Sequence, residues 1–436
     1  MTSVPLLYRV AVRALRRSAP LLALGGPKVA RGIRGRRHAA GTLVTWGRRE
    51  RDPDRPTVWF HAPSVGEGLQ AGAVLGALVE RRPGLQVAFT HFSPSAEGLG
   101  ERLGADVSAY LPWDVEASVA AVLDALRPDL LAFTKTEVWP VLVAAATRRG
   151  VPVVIVAATV PEGAGRMRWP ARRTLAPTWG RLTAACANTP ADAERLVALG
   201  ADAAAVHVTG DPAIDSAVRR VAEADPSAPY LAPFQSGRRI TVVAGSTWRE
   251  DEDVLLPAWQ GVRRASPDAL LVLAPHEPDA EPVARLLTRL REIGLAAVTL
   301  GAVEREGSID GVDAVVVDRL GVLTHLYTVA DVAYVGGGFG RAGLHQVVEP
   351  AAAGVPVLFG PRHANARAAG ELLRLGGAGT VVDAKGMEEA TARWLTDPSA
   401  KNGAAARCLD YIGAHRGAAR RTAQLLDPLI GEAGQA

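Results

Sequence analysis

From residue 58 onward the chain alternates short apolar runs with segments whose apolar positions recur every three to four residues. The runs read as strands buried on both faces, and the segments between them as amphipathic helices. In the first half the pattern predicts strands at 58–60, 87–90, 107–111, 130–133 and 153–157, with weaker ones at 182–187 and 206–209. Helices are predicted at 69–82, 96–103, 115–126 and 138–149. Residues 210–238 lose this periodicity and carry Pro212, Pro226, Pro229 and Pro233, which marks a linker.

A second alternating series follows. Strands are predicted at 240–244, 270–274, 298–300, 315–317, 332–335, 355–359 and 380–382. Helices are predicted at 251–265, 281–293, 323–330, 345–353, 366–375, 387–396 and 404–429. Two α/β halves of parallel βα repeats are the simplest account. Ligands then bind at the carboxyl ends of the strands, in a cleft between two rows of strand ends. The expected divisions are an arm at 1–40, a first domain at 41–210, a linker at 211–238, a second domain at 239–403 and a closing helical segment at 404–436.

Charge singles out the arm. Eleven of the 49 basic residues and none of the 45 acidic ones precede Glu50, so the rest of the chain has a balance of −7. That distribution argues against a nucleic-acid partner. Over residues 6–17, Arg9, Arg13, Arg16 and Arg17 fall in one helical sector, and Leu7, Val10, Ala11, Ala14 and Leu15 in the opposite one. The uncharged stretch 18–27 is about half of a membrane span. A helix lying on an anionic membrane surface is therefore expected. Two cysteines and no signal-peptide pattern point to a reducing, cytoplasmic setting.

Polar residues cluster after the predicted strands. The run 58–60 gives way to His61, Ser64, Gly66 and Glu67, which sets a carboxylate on a strand–helix turn as a candidate general base. After 130–133 come Lys135, Thr136, Glu137, Val138, Trp139 and Pro140, with Thr136 and Glu137 as cleft candidates beside Ser64 and Gly66. In the second half Gly245, Ser246 and Thr247 precede an acid-rich first helical turn, a potential phosphate site.

Residues 335–350 form a strand, a glycine-rich turn and a predicted helix; Gly338, Gly340 and Gly343 match G-x-G-x-x-G. The acid expected about twenty residues later in a dinucleotide site is missing, and Arg362 and His363 stand there. A nucleotide-sugar site fits better: Gly337, Gly338, Gly340 and the helix start take phosphate, and Glu349, one turn after His345, accepts from ribose hydroxyls. His276, Glu277, Gln346 and Asn365 complete the donor-side candidates. No metal-binding motif is present, so a reaction without metal or cofactor is expected.

These motifs, in this order and over most of the chain, resemble the Kdo transferase family. Its members move 3-deoxy-D-manno-oct-2-ulosonic acid (Kdo) from CMP-Kdo to a lipid A precursor. The likeness rests on the basic arm, Ser64–Glu67, Thr136–Pro140, Gly245–Thr247, Ala274–Glu277, Gly336–Glu349, and Gly360-Pro361 with Asn365. It implies a GT-B glycosyltransferase fold, two Rossmann-like domains facing across a cleft, with the acceptor on the first and the nucleotide on the second. It also implies Glu67 as catalytic base, Ser246, Thr247, His345, Gln346 and Glu349 in the donor site, and a peripheral or monotopic place on the cytoplasmic face of the inner membrane.

The chain departs from the family where Pro275-His276-Glu277-Pro278 replaces Pro-Arg-His-Pro, where Ala157-Ala158-Thr159 replaces Asn-Ala-Arg, and where Gln346 replaces Asn. The alternatives are another GT-B glycosyltransferase, a nucleotide-sugar epimerase, or an inactive membrane-peripheral nucleotide-sugar binding protein.

Overall fold

The apolar runs become strands because each is covered on both faces, so no alternation with polar residues is needed. The computed structural model describes residues 4–22, 24 and 26–431. It divides into two compact units, Met1–Ser216 with Arg416–Ala436, and Ala217–His415.

In the first unit the strands are β1 (Thr57–His61), β2 (Gln86–His91), β3 (Val107–Tyr110), β4 (Leu130–Thr134), β5 (Val153–Ala158), β6 (Ala184–Ala187) and β7 (Val206–Val208). They form one parallel sheet in the order β3-β2-β1-β4-β5-β6-β7. The second unit has β8 (Thr241–Thr247), β9 (Leu270–Pro275), β10 (Ala297–Thr299), β11 (Ala314–Val316), β12 (Val332–Val335), β13 (Val357–Phe359) and β14 (Ala378–Thr380). These are parallel as well, in the order β10-β11-β9-β8-β12-β13-β14. Strand order reverses between β1 and β4 in one sheet and between β8 and β12 in the other. In open α/β sheets that reversal opens a crevice at the strand ends.

Several helices differ from the sequence expectation. The helix after β1 is Val65–Arg81 and starts four residues early, with Ser64 extended at its N-cap. Gly68, placed in the turn before the predicted helix, and Gly72, within that helix, are both packing positions. A Cβ on either would come within 2.5 Å of Leu99 or Leu103. The helix predicted at 96–103 is cut by left-handed Gly98, leaving a 3₁₀ turn Pro94–Ala96 and the short helix Leu99–Arg102. Helices Ala171–Trp179, Pro190–Leu199 and Pro212–Ala222 were not foreseen. In the last two, proline stands at the first helical position, where its missing N–H costs nothing.

The closing segment is two helices, Pro398–His415 and Ala418–Leu426, because Gly417 turns left-handed between them. The second returns the chain to the first unit. Ala419, Ala423, Leu426 and Ile430 join the core that holds Phe60, Val74 and Leu78. Asp215 accepts from the backbone N–H of Gly417 and Ala419, and Arg81 and Arg82 both bind Asp427.

The arm forms helix Leu6–Leu22 and helix Pro27–Arg49. The latter runs through residue 40 without a break and buries Arg36, Ala39, Leu43 and Trp46. Arg36 donates to the carbonyls of Leu111 and Pro112 and lies against the rings of Trp113, Phe92 and Trp139, 4.4, 4.7 and 5.4 Å away. Burial pushes its guanidinium down to about 10.

Helix Leu6–Leu22 is turned differently from the expected amphipathic split. Arg9 and Arg13 pair with Glu116, and Tyr8 donates to Asp114. Facing outward are Leu6, Leu7, Val10 and Leu15, together with Arg16 and Arg17. Among the described residues no helix is long and apolar enough to cross a membrane.

Leu426 is fully buried in the core of the first unit. Leu426→Ala should lower that unit's stability by about 2–5 kcal/mol, measured by chemical denaturation.

Candidate active site

In the first unit, β1 and β4 lie side by side with His61 in register with Phe133, so their following loops are neighbours. Ser64, Gly66 and Glu67 therefore stand next to Lys135, Thr136 and Glu137. Ser64 and Glu67 have the S-x-x-E spacing of a capping box, in which each side chain would bond the other's backbone N–H. Here they do not cap. Ser64 Oγ donates to Glu67 Oε2 instead, and Lys135 Nζ lies 2.8 Å from Glu67 Oε1. The carboxylate is thus tethered at both oxygens while still reaching solvent at the helix start.

Nothing in the sequence ties Lys135 to Glu67. The Lys135 φ of 67° is left-handed, a conformation uncommon for a residue with a side chain and concentrated at functional sites. That backbone turn is invisible in composition or periodicity. Thr136 is buried, and its carbonyl accepts from Arg166. Glu137 Oε2 lies 3.8 Å from Nε2 of fully buried His61. Gly66 is exposed in the first turn of the helix.

In the second unit, Val335 at the end of β12 is in register with Gly245 of β8. This brings Ser246 and Thr247 against the glycine turn. The contact is backbone on backbone: a Cβ at Gly336 would meet the Ser246 carbonyl oxygen at 2.3 Å, and one at Gly338 would meet Gly360 N at 2.6 Å. Asp251 holds the arrangement, accepting from Gly337 N at 2.8 Å, Trp248 N at 2.8 Å and the Tyr334 hydroxyl at 2.7 Å. The start of helix Arg249–Ala265 is therefore capped by the protein's own carboxylate. Ser246, two residues before the N-cap, has a left-handed φ of 54°. Thr247 is buried, and its hydroxyl has no partner.

The helix predicted at 345–353 is reduced to Val348–Ala352. Residues 336–347 are instead a loop closed by a bond from His345 N to the Gly336 carbonyl. Asn365 fastens it, its amide exchanging bonds of 2.9 and 3.0 Å with the backbone of Leu344. Glycines and one side-chain clamp stabilise loop over helix here. The helix that starts beside the turn is Arg249–Ala265, whose Asp251 bonds Gly337 N.

Glu349 consequently does not stand one helical turn from His345. Its carboxylate is held by Arg220 Nη2 at 2.7 Å and by the Thr324 hydroxyl at 2.9 Å. Arg220 lies in the stretch read as linker, so no sequence signal tied it to Glu349. Gly337, Gly338 and Gly340 are buried in the turn; Gln346 and Glu277 are exposed. Arg341 and Arg362 line an open depression with Gly340, Gly343, His363 and Asn365.

His276 and His345 meet Trp248 in one aromatic ledge. Trp248 stacks on His276 at 4.5 Å between ring centroids, and the two histidines are 4.5 Å apart. Trp248 Nε1 donates to His345 Nε2 at 3.1 Å. Burial, helped by His276, pushes the His345 imidazole down to about 4. It is then neutral near pH 7, with the proton on Nδ1. Trp248 carries no sequence signal beyond its place just after a strand end.

The unfolded chain takes up a proton at His345 near pH 6.5 and the folded unit only near pH 4, so His345 removes stability as pH falls through that window. The loss between pH 6.5 and 4 should be smaller in His345→Gln than in the parent, read from denaturation at each pH.

Residues 37–216 match the family model for 3-deoxy-D-manno-octulosonic-acid transferase (kdotransferase). A 3-deoxy-D-manno-octulosonic acid transferase of Bordetella pertussis is 32% identical over 401 residues, covering 88% of this chain and 90% of that one. UDP-GlcNAc 2-epimerase of Neisseria meningitidis superposes with a TM-score of 0.58 at 14% identity, covering 86% of this chain and 99% of that one. A glycosyltransferase of Rickettsia africae gives a TM-score of 0.55 at 9% identity, covering 86% and 98%. At such identities the structural likeness concerns the fold alone, which is the GT-B class built from two Rossmann-like domains.

Proposed function

The chain belongs to the family of 3-deoxy-D-manno-octulosonic acid (Kdo) transferases, and on that footing we propose that it moves Kdo from CMP-Kdo onto a lipid A precursor with Glu67 as general base. It is a glycosyltransferase. The observation that carries the catalytic assignment is the placement of Glu67. It follows β1 where strand order reverses, and its side chain turns away from the helix N–H groups toward Lys135.

In the proposed reaction Glu67 takes the proton from a sugar hydroxyl of the acceptor while that oxygen bonds to the anomeric carbon of Kdo. The bond from that carbon to the CMP phosphate oxygen breaks, and CMP leaves with the electron pair. Attack opposite the leaving group inverts the centre. General-base help of this kind is worth about 10²–10⁴-fold. Ser64 and Lys135 fix the carboxylate, so that the acceptor hydroxyl meets a held base. On the donor side, the backbone around Ser246 and Gly337–Gly340 and the ledge of Trp248, His276 and His345 are the proposed nucleotide cradle. Glu349, already bonded to Arg220, is proposed to receive the ribose hydroxyls.

The outward face of helix Leu6–Leu22 supports a peripheral site on the cytoplasmic face of the inner membrane. Leu6 and Leu7 are 69% and 79% exposed, beside Arg16 and Arg17, the combination expected of a helix lying in the interface.

Glu67→Gln should lose at least about a hundredfold in Kdo transfer while still binding CMP, measured by product mass spectrometry and calorimetry; turnover near the parent rate would remove Glu67 from the mechanism. Replacing Leu6, Leu7 and Val10 together by Ser should shift the protein off anionic vesicles in co-sedimentation. Unchanged binding would exclude that face.

A further inference from the structure

Beyond β5 the chain runs through Gly165, Arg166, Met167, Arg168, Trp169, Pro170, Ala171, Arg172 and Arg173. Four of these nine residues are arginine, and the acid nearest in sequence is exposed Glu162. The segment is anchored at its start. Met167 packs on the core of the first unit, and Arg166 reaches the carbonyl of Thr136. Arg166 is half buried; burial pulls its guanidinium below the ordinary value, and the charge of Glu137 opposes that pull.

Past this anchor the other side chains face water. Trp169 is 79% exposed, and Arg168, Arg172 and Arg173 are exposed without a side-chain partner among the described residues. A large aromatic left in water beside three unpaired guanidiniums gains nothing for the fold. The combination suits a ligand with an apolar–polar boundary and fixed negative charge. Guanidinium forks match phosphate oxygens two at a time, and indole settles where acyl chains meet headgroups.

Position decides which phosphate. The segment leaves the carboxyl end of β5, whose neighbour in the sheet is β4, and β4 leads into Lys135, Thr136 and Glu137. Its anchor is Thr136 itself, one residue from the lysine that holds Glu67. The cationic loop is thus tied to the segment that carries Lys135 and Glu137. We propose that Arg168, Arg172 and Arg173, with Trp169 at their tip, form a binding site for a phosphate group on the headgroup of the acceptor glycolipid. The inference rests on the acceptor reading above and adds the part of the acceptor that is grasped.

The test uses the full-length enzyme in neutral detergent micelles, where no anionic bilayer contributes. Kdo transfer is followed on the phosphorylated acceptor and on the same glycolipid after phosphatase treatment. For the parent enzyme, dephosphorylation should raise the acceptor KM roughly tenfold or more, with kcat and the donor KM little changed. The variant Arg168→Gln/Arg172→Gln/Arg173→Gln should show that higher KM on the phosphorylated acceptor and lose nothing further on the dephosphorylated one. Trp169→Ala should raise KM on both acceptors alike.

An unchanged KM in the triple variant overturns the proposal. So does a variant that still discriminates the two acceptors by the parent factor. Loss of binding to anionic vesicles with an unaltered micellar KM also overturns it, assigning the arginines to the bulk membrane. Failure of the underlying reading looks different: Glu67→Gln would stay active, or no Kdo would reach either acceptor. All three arginines are solvent-exposed, so an unchanged melting temperature is expected and checks that the variant is folded.

Discussion

Parallel pairing is the constraint on which the rest depends. When every strand of a sheet runs the same way, every strand ends on the same edge, and each loop leaving that edge is a neighbour of the loops beside it. Reversal of strand order then parts two of those loops and leaves room between them. In the first unit the loops at that point carry Glu67 and Lys135, bridged by their side chains; in the second they carry Ser246 and the glycine turn, in backbone contact at their roots. Sequence separations of 68 residues between Glu67 and Lys135, and 97 between Trp248 and His345, are erased by sheet order. No local motif could have made either pair.

Around that constraint two buried carboxylates act as tethers. Asp251 does for the glycine turn what Asp114 does near the arm. Asp114 is buried, accepts from Val141 N and Leu142 N at the start of helix Pro140–Arg148, and also takes the Tyr8 hydroxyl. One carboxylate thus joins the arm helix to the segment that follows Glu137 and Trp139. The arm is bonded to the unit it serves and does not hang from it as a free tether.

How much of this was legible follows from what each feature depends on. Strands such as Val153–Ala158 were plain, since burial on both faces demands an unbroken apolar run. The polar clusters after β1, β4, β8, β9 and β12 were plain for the same reason: they interrupt such runs. Helix boundaries were less so. Proline at 212 reads as the mark of a linker until the start of a helix is known to lie there, and glycine at 68 reads as part of a turn until Leu99 is known to press on it. The loop at 336–347 was read as turn and helix because the clamp from Asn365 is a long-range contact. Lys135 and Arg220 escaped for a similar reason, since each acquires its role from a carboxylate placed by tertiary structure.

The return of the chain to its first unit has a consequence for biosynthesis. Residues 416–431 supply core side chains and salt-bridge partners to a unit whose other members end at Ser216. A ribosome makes the whole of Ala217–His415 between those two pieces. Domains ordinarily fold in the order in which they emerge. Here the second unit is complete first, and the unit with Glu67 waits with the surface around Val74 and Leu78 uncovered until its last helix arrives. The nascent chain therefore exposes an apolar groove for about 200 residues of elongation, the kind of surface that chaperones hold.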